Sequence, residues 1–214
     1  IKPFAIPKEW RRYRAIDYGL DGLACLWIAI DPERRCYVYR EYFKTNQTIG
    51  DVARGIHDMT PDDEEVYLTL APPDMWGRSQ ESGRSKANLF YDDGLTITKS
   101  SNDREAGWLS IKELLADGAD GKPKLQIFDT CTKLITDLPS LIRDDKRPTD
   151  CATEPHEITH VPDALRYFSV YWTKPAAVED KSKRTVWTKD MWEDYYNASD
   201  SGKEYLIKKY GKPK

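Results

Sequence analysis

The sequence predicts an α/β fold in which a mixed central sheet carries helices on both faces. The first observation is a group of three β-rich segments near the N-terminal end, joined by short polar turns. The second is a regular alternation of helical and extended patterns from Thr48 to about residue 172. Strands joined by tight turns pair antiparallel, whereas strands separated by helices pair parallel. We therefore expect an N-terminal antiparallel three-stranded meander followed by parallel strands in the same sheet.

The N-terminal meander is predicted from three consecutive segments. Residues 13–17 favour a strand that ends at the turn residues Tyr18 and Gly19. The segment Leu23–Ile30 is continuously apolar, which indicates a strand buried on both faces. After a polar turn at residues 31–34, the β-forming residues of 36–43 predict a third strand in a hairpin with the second.

Helices and strands alternate over the rest of the predicted domain. Thr48 suits the N-cap of a helix over 49–59, and a strand over 66–71 ends before Pro72 and Pro73, which no central strand contains. The later predicted elements are a helix at 86–91, a strand at 95–99, a helix that begins after Asn102 or Asp103, a strand at 125–128, a helix at 133–142 and a last helix that starts with Pro162 and ends near Trp172.

The predicted domain covers residues 1–172, and a different composition follows it. Residues 173–214 are rich in lysine and in aromatic side chains. A segment with that many aromatic residues is not expected to be fully disordered. We predict a C-terminal extension that forms one or two small helices or a partly ordered tail.

Composition excludes several classes of protein. The chain has 33 Lys and Arg against 36 Asp and Glu, a net charge of −3, so a bulk electrostatic nucleic-acid binder is not indicated. The longest apolar run, Leu23–Ile30, is far shorter than the roughly 20 residues of a membrane-spanning helix, and we expect no membrane segment. The 4 cysteines form no CxxC pair, which argues against a zinc ribbon and favours reduced thiols in a cytosolic protein.

Three aspartates stand at the ends of predicted elements. Asp17 ends an otherwise apolar strand, where an ionised carboxylate is costly without compensation, although capping of the following turn explains it equally well. Asp74 follows two prolines that fix the backbone after the strand at 66–71. Asp163 lies in the first turn of the last helix, where the helix dipole favours a negative charge. Considered singly, Asp74 and Asp163 are ordinary turn and helix-start residues.

Together the three acids predict a metal site. Two strand ends and one helix start are able to converge on one point of a sheet edge. Three carboxylates there would hold two Mg²⁺ or Mn²⁺ ions about 4 Å apart, one activating water and the other stabilising the leaving oxygen. Hard oxygen ligands suit these ions better than zinc. This is the chemistry of phosphodiester hydrolysis.

Several motifs resemble one known family. They are IDYG at 16–19, ACLWIA at 24–29, APPDMW at 71–76, SNDREAGWL at 101–109, IFDTC at 127–131 and TEPHEITHVPDALRY at 153–167. The chain over roughly residues 10–172 resembles the C-terminal nuclease domain of tailed-phage large terminase subunits, a branch of the RNase H-like superfamily. The most specific segment is the last, in which His160 precedes Asp163 by three residues.

The resemblance implies a fold, an activity and site residues. The fold would be RNase H-like, and the activity would be that of a divalent-metal-dependent endonuclease that cuts concatemeric double-stranded DNA during phage genome packaging. Asp17 would bridge both metal ions, and Asp74 and Asp163 would complete the ligand set. His160 would orient a water or phosphate or transfer a proton. Asp21 lies near enough in sequence to join the site, although an ordinary loop role is the alternative.

Four basic residues are candidate contacts to DNA phosphates. Arg78, Arg84 and Lys86 follow Asp74 in a polar loop, and Arg104 carries a weaker indication; a solvated loop explains the first three equally well. The loop does not fit a P-loop, because five residues separate its glycines and an arginine replaces the lysine. We therefore predict no ATP site in this chain.

The resemblance also implies partners and a location. The partners would be double-stranded DNA, an N-terminal ATPase domain outside this chain, the portal protein and the small terminase subunit, with no membrane. The expected location is the host cytoplasm, at the procapsid portal. Two other functions stay open from the sequence: another RNase H-like DNA nuclease, such as a resolvase or transposase catalytic domain, and a non-catalytic docking module of the packaging motor.

Overall fold

The computed structural model describes residues 1–19, 21–173 and 187–211 of the chain. The chain divides into two units, Ile1–Thr173 and Lys174–Lys214. The first unit is built on a single mixed sheet. Its strands are β1 (Arg11–Tyr18), β2 (Leu23–Ile30), β3 (Cys36–Lys44), β4 (Leu68–Ala71), β5 (Thr98–Lys99) and β6 (Leu125–Ile127).

The sheet combines the predicted meander with parallel strands. Its spatial order is β5-β4-β1-β2-β3-β6. The pairs β1–β2 and β2–β3 are antiparallel, and β4, β5 and β6 each join a neighbour in parallel. All described strands except β2 therefore run in one direction. Their carboxyl ends lie along one side of the sheet, which we call the carboxyl edge, and this architecture confirms the predicted mixed sheet.

Helices cover both faces of the sheet, as predicted. The helices of the first unit are α1 (Ile49–Asp58), α2 (Lys86–Asp92), α3 (Arg104–Leu115), α4 (Thr132–Asp137) and α5 (His160–Thr173). Buried residues of α3, α4 and α5 pack with alternate residues of β1 and β2 in one core cluster. Buried residues of α1 and α2 pack with the other set of alternate residues in a second cluster. The strand β2 contributes to both clusters because all its side chains are buried.

The sequence signals for individual elements have clear physical counterparts. Thr48 caps α1 in a capping box with Asp51, and Val52, Ala53 and Ile56 form its buried face. Asp103 is the N-cap of α3, one of the two residues predicted to cap that helix. Among the described residues, no helix combines the length and apolar character needed to cross a bilayer.

Three predicted boundaries are wrong. The strand at 95–99 shrinks to Thr98–Lys99 because Leu95 instead returns to the core beside α2, where its amide donates to the Phe90 carbonyl at 2.8 Å. The helix predicted at 133–142 ends as α4 at Asp137 and continues only as a 3-10 turn that contains Pro139.

The third wrong boundary affects the candidate site. Helix α5 begins at His160, so Pro162 is its third residue and not its first. A proline there costs no hydrogen bond, because the first four amides of a helix have no intrahelical partner. His160 and Asp163 therefore lie in the same first turn.

The second unit contains two helices in its described part. They are α6 (Lys189–Asn197) and α7 (Asp200–Tyr210), in the segment for which one or two small helices are predicted. Trp187 is buried and packs with Trp192 and Tyr195 at ring-centroid distances of 5.3 Å and 5.4 Å. The remainder of the predicted extension, residues 174–186 and 212–214, lies outside the described residues.

Candidate active site

Asp17 and the first turn of α5 meet at the carboxyl edge. Asp17 points to the same face of β1 as Tyr13 and Ala15, which is the face that α5 covers, since side chains alternate along a strand. Oδ2 of Asp17 lies 2.7 Å from Nδ1 of His160, a contact between residues 143 positions apart. The structure thus brings together two of the four residues assigned to the site by resemblance.

Two glycines make room for the His160 ring. A Cβ atom built on Gly19 or on Gly22 would lie 2.9 Å from an imidazole carbon of His160, closer than real Cβ contacts allow. The amide of Gly19 donates to the carbonyl of Gly22 at 2.8 Å, which closes the loop between β1 and β2. The imidazole therefore packs directly against a backbone without side chains.

His160 lies between two carboxylates. Its Nε2 is 3.3 Å from Oδ1 of Asp21, on the opposite side of the ring from Asp17. The hydrogen bond to Asp17 raises the pKa of His160 and outweighs the opposing effect of burial. Burial raises the pKa of Asp17, with a further contribution from the charge of Asp163, while His160 and Arg166 oppose the shift. A cation bound beside Asp17 would reverse this shift by favouring the ionised form.

Asp163 is held in place by two arginines. Its Oδ1 accepts a hydrogen bond from Nε of Arg166 at 2.6 Å and lies 3.5 Å from Nη1 of Arg104. The Arg166 side chain is completely buried, so this charge pair lies inside the protein. Two guanidinium groups therefore fix the position of this carboxylate. Asp163 is available as an oxygen ligand held in place before any ion binds.

The contacts that the structure gives Arg104 lie within the protein, and its contact with DNA stays a prediction. Its Nε donates to the buried carboxylate of Asp150 at 2.9 Å, and its Nη2 donates to the carbonyl of Cys151 at 3.0 Å. Trp108 also donates to Asp150 at 2.9 Å, which fixes that carboxylate from a second side. With these contacts and Asp163, the guanidinium is directed into the protein. Arg104 helps to position Asp163, and its side chain is only partly exposed.

Asp74 lies at the same edge of the sheet as Asp17, in more exposed surroundings. It belongs to a 3-10 turn, Pro73–Trp76, directly after β4, which is the parallel neighbour of β1. Its side chain is exposed, and Oδ2 lies 3.7 Å from Nζ of Lys86. Among the described residues, the three aspartates do not form a group whose carboxylate oxygens all lie within 4.8 Å of one another. A shared metal site of Asp17, Asp74 and Asp163 stays a prediction.

The basic loop after Asp74 keeps its side chains near the surface. Arg78 is exposed, and its backbone forms an isolated β-bridge with Ser85. Arg84 forms an ion pair with Asp92 on α2. Lys86 lies over the ring of Tyr18 at 5.4 Å in addition to its contact with Asp74. Contacts of Arg78, Arg84 and Lys86 with DNA stay predictions.

The donor atoms fit a divalent cation. Among the described hydrogen bonds, only Oδ2 of Asp17 and only Oδ1 of Asp163 are engaged by a base. Each buried carboxylate thus keeps a second oxygen for a ligand, and Asp74 has both oxygens near solvent. A different donor set lies beside it, because Asp21, His156 and His160 each present a ligand atom within 4.8 Å of the others.

Sequence reasoning missed several residues of this region. Arg166 follows Asp163 at helical spacing, which is the expected signal for an ion pair on one helix face. The pair Gly19 and Gly22 flanks the end of β1, where a close approach of another segment is typical. Asp150 pairs locally with Arg147, but its contacts with Arg104 and Trp108 of α3 leave no signal in the sequence.

Several solved structures that are similar to this chain are nuclease domains of large terminases. The P22 large terminase nuclease domain has a TM-score of 0.63 at 18% identity, with 80% of this chain and 86% of that chain covered. The large terminase (g2p) nuclease domain from bacteriophage SPP1 with bound Mn has a TM-score of 0.50 at 15% identity, covering 73% and 84%. The large terminase nuclease from thermophilic phage G20c with bound magnesium has a TM-score of 0.50 at 13% identity, covering 78% and 83%.

These likenesses establish the fold. The chain has an RNase H-like fold, as the resemblance implied. Within that class, it has the version of the fold found in large terminase nuclease domains. No protein-family model matches the sequence, and no curated protein matches it.

Proposed function

We propose that this chain is the nuclease part of a phage DNA-packaging motor and cleaves concatemeric double-stranded DNA by metal-dependent hydrolysis. The observation that carries the proposal is the meeting of Asp17, His160 and Asp163 at the carboxyl edge. Asp74 follows the adjacent parallel strand at the same edge. The bound Mn and magnesium of two similar nuclease domains support a divalent ion as cofactor.

The metal ligands would be the three aspartates. Asp17 and Asp163 each offer one oxygen that the described bases leave free, and Asp74 offers an exposed carboxylate. We propose Mg²⁺ or Mn²⁺ as the ions, two in number, because the donors are all hard oxygens. When bound, such ions supply an activated water and stabilise the charge on the leaving oxygen.

The remaining residues hold the acids and handle protons. Arg166 and Arg104 hold the side chain of Asp163 in place, so that this carboxylate needs no reorganisation when the ions bind. His160 donates a hydrogen bond from Nδ1 to Asp17, an assignment that follows from the acceptor-only character of an ionised carboxylate. The lone pair of the buried Nε2 is then directed to Asp21, and this nitrogen would accept a proton during hydrolysis while no metal ion is bound to it.

The proposed partners follow from the proposed role. The substrate is double-stranded DNA, and Arg78, Arg84 and Lys86 are the proposed phosphate contacts. The net charge of −3 suits weak intrinsic DNA affinity, so efficient cutting would rely on an ATPase domain, the portal protein and the small terminase subunit to deliver DNA. Residues 1–172 would carry the nuclease and 173–214 an accessory extension, with the host cytoplasm at the portal as the location.

A plasmid-cleavage assay tests the proposal. The chain is incubated with supercoiled DNA and Mg²⁺, Mn²⁺ or EDTA, and Asp17→Asn is compared with Asp129→Asn. Asp129 follows β6, which is separated from β1 by the two strands β2 and β3, and its side chain pairs with Lys2. It is therefore a matched acid outside the site. We expect metal-dependent cutting by the wild type and by the Asp129 variant, and none by the Asp17 variant.

Three results would contradict the proposal. Cutting that survives EDTA would exclude the metal mechanism. Cutting by Asp17→Asn at the wild-type rate, with circular dichroism showing an intact fold, would exclude the site. Strong preference for a branched junction over linear or supercoiled DNA would indicate a resolvase instead of a packaging nuclease.

A further inference from the structure

We propose that Asp21, His156 and His160 form a second metal site, one that takes a transition-metal ion of the Zn²⁺ type. Their ligand atoms all lie within 4.8 Å of one another. The donors are two imidazoles and one carboxylate, the set that zinc prefers and that Mg²⁺ does not. None of Asp17, Asp74 and Asp163 is a ligand of this second site.

The orientation of His160 is the strongest indication of a ligand. Its side chain is buried, and its Nε2 forms no hydrogen bond with any residue that the structure describes, although Oδ1 of Asp21 lies 3.3 Å away. Its Nδ1 is occupied by Asp17 at 2.7 Å. A metal-binding histidine typically donates its other ring N–H to a carboxylate, which fixes the ring and directs the free nitrogen to the metal. Asp17 and His160 have this relationship.

The backbone keeps the space around Nε2 open. A Cβ atom on Gly22 would lie 3.2 Å from Nε2, and one on Gly19 would lie 2.8 Å from Oδ1 of Asp21. Side chains at these two positions would crowd both ligand atoms. The glycines therefore preserve a gap between the imidazole and the carboxylate that a metal ion fills.

His156 supplies the third ligand from the turn that precedes α5. It begins the 3-10 turn His156–Ile158, and its ring stacks on that of His160 at a centroid distance of 6.2 Å with planes 30° apart. Its Nε2 also lies 3.2 Å from Oε1 of Glu154, a second carboxylate near the site. The short turn holds both imidazoles on one side of the helix start.

The three ligands border a cavity of about 740 Å³ that opens to solvent. An ion there would keep water in its remaining coordination positions. Lys133 also lines the cavity, but its ammonium pairs with Asp137 at 2.9 Å and donates to the carbonyl of Glu157 at 3.0 Å. Its positive charge is thus compensated locally.

Calorimetric titration of the whole chain with Zn²⁺, in the presence of excess Mg²⁺, tests the site. Magnesium occupies oxygen-only ligands, so the remaining zinc binding reports on imidazole donors. The variants are His156→Asn and Asp21→Asn, both at exposed positions where folding is not at risk. The control is His57→Asn, which removes the remaining histidine, exposed in the last turn of α1.

We expect one equivalent of Zn²⁺ to bind to the wild type and to His57→Asn with equal affinity. Loss of an outer-shell partner alone lowers metal affinity by roughly 10–100-fold, so loss of the ligand in His156→Asn is expected to weaken binding by at least that factor. Asp21→Asn is expected to weaken it as well. Because the readout is binding, the result is independent of whether the chain cuts DNA.

The proposal is overturned by any of three results. The first is no zinc binding by the wild type. The second is zinc affinity that is the same in His156→Asn as in the wild type. The third is complete displacement of zinc by excess Mg²⁺, which would place the ion among the aspartates.

Discussion

Asp17 and Asp163, on the α5 side of the carboxyl edge, are largely buried. Asp74, which follows β4 at the same edge, is exposed. The side chains of Asp17 and Asp163 are 15% and 13% exposed, and each forms a short hydrogen bond with a base. The side chain of Asp74 is 65% exposed, and its nearest base, Lys86, lies at 3.7 Å. The protein itself compensates the charge of the first two acids, whereas solvent compensates the charge of the third.

This difference follows from the cost of burying charge. An isolated carboxylate in the interior is expensive, so Asp17 and Asp163 are tolerated only with His160, Arg166 and Arg104 beside them. Asp74 pays no such cost, and no comparable set of bases surrounds it. We therefore expect the α5 side to be organised before any ion binds and Asp74 to be drawn to the ions by their charge.

The largest expected effect on stability comes from replacing Arg166, the buried base beside Asp163. Arg166→Met keeps most of the side-chain volume but leaves Asp163 without its 2.6 Å partner. Breaking a buried charge pair on one side typically costs about 3–5 kcal/mol of the free energy of unfolding. Urea denaturation without added metal measures the change. Arg78→Met, at an exposed position, is the control and is expected to stay within about 0.5 kcal/mol.

A smaller effect is expected from crowding the same arginine. A Cβ atom on Gly107 in α3 would lie 2.3 Å from Cγ of Arg166, so Gly107→Ala forces that side chain to move. Overpacking of this kind costs about 1–3 kcal/mol, partly offset by the better helix propensity of alanine. Gly50→Ala in α1 is the matched control, because its Cβ would meet Asp93 only at 3.5 Å. If both variants are equally stable by denaturation, Arg166 is not confined by α3.

The smallest effect on stability is expected at the exposed acid. Asp74→Asn removes a charge that solvent and Lys86 compensate, so the free energy of unfolding without metal is expected to change by no more than about 0.5 kcal/mol. In the plasmid assay, the same variant is expected to lose metal-dependent cutting. A loss of stability comparable to that of Arg166→Met would show that the protein, and not solvent, compensates the charge of Asp74.

Much of the fold was predictable because its signals are local. The apolar run Leu23–Ile30 is a strand with the predicted bounds, and Thr48 and Asp103 are the N-caps of their helices. Hydrophobic periodicity and capping depend on neighbours within a few positions, so they are visible in the chain itself. The short elements β5 and α4 were predicted too long, because packing and a 3-10 turn end them earlier.

The candidate site was predictable in part. His160 and Asp163 lie on one helical turn, although the predicted helix began only at Pro162, and Asp17 lies near the end of its strand beside His160. The contacts of Arg104 within the protein were not visible in the sequence, whereas its contact with DNA stays a prediction. Its partners Asp150 and Asp163 lie 46 and 59 positions away, and only the tertiary structure brings them to α3.

The sequence by itself determined the order of the elements, the mixed sheet and the positions of the acids at element ends, since each depends on short-range pattern. The tertiary structure decided which charges are neutralised inside the protein. It turned Arg104 and Arg166 inward to Asp163, placed His160 against two glycines, and left Asp74 in solvent. The physical reason is that desolvation depends on what surrounds a group in space, and distant segments supply those surroundings.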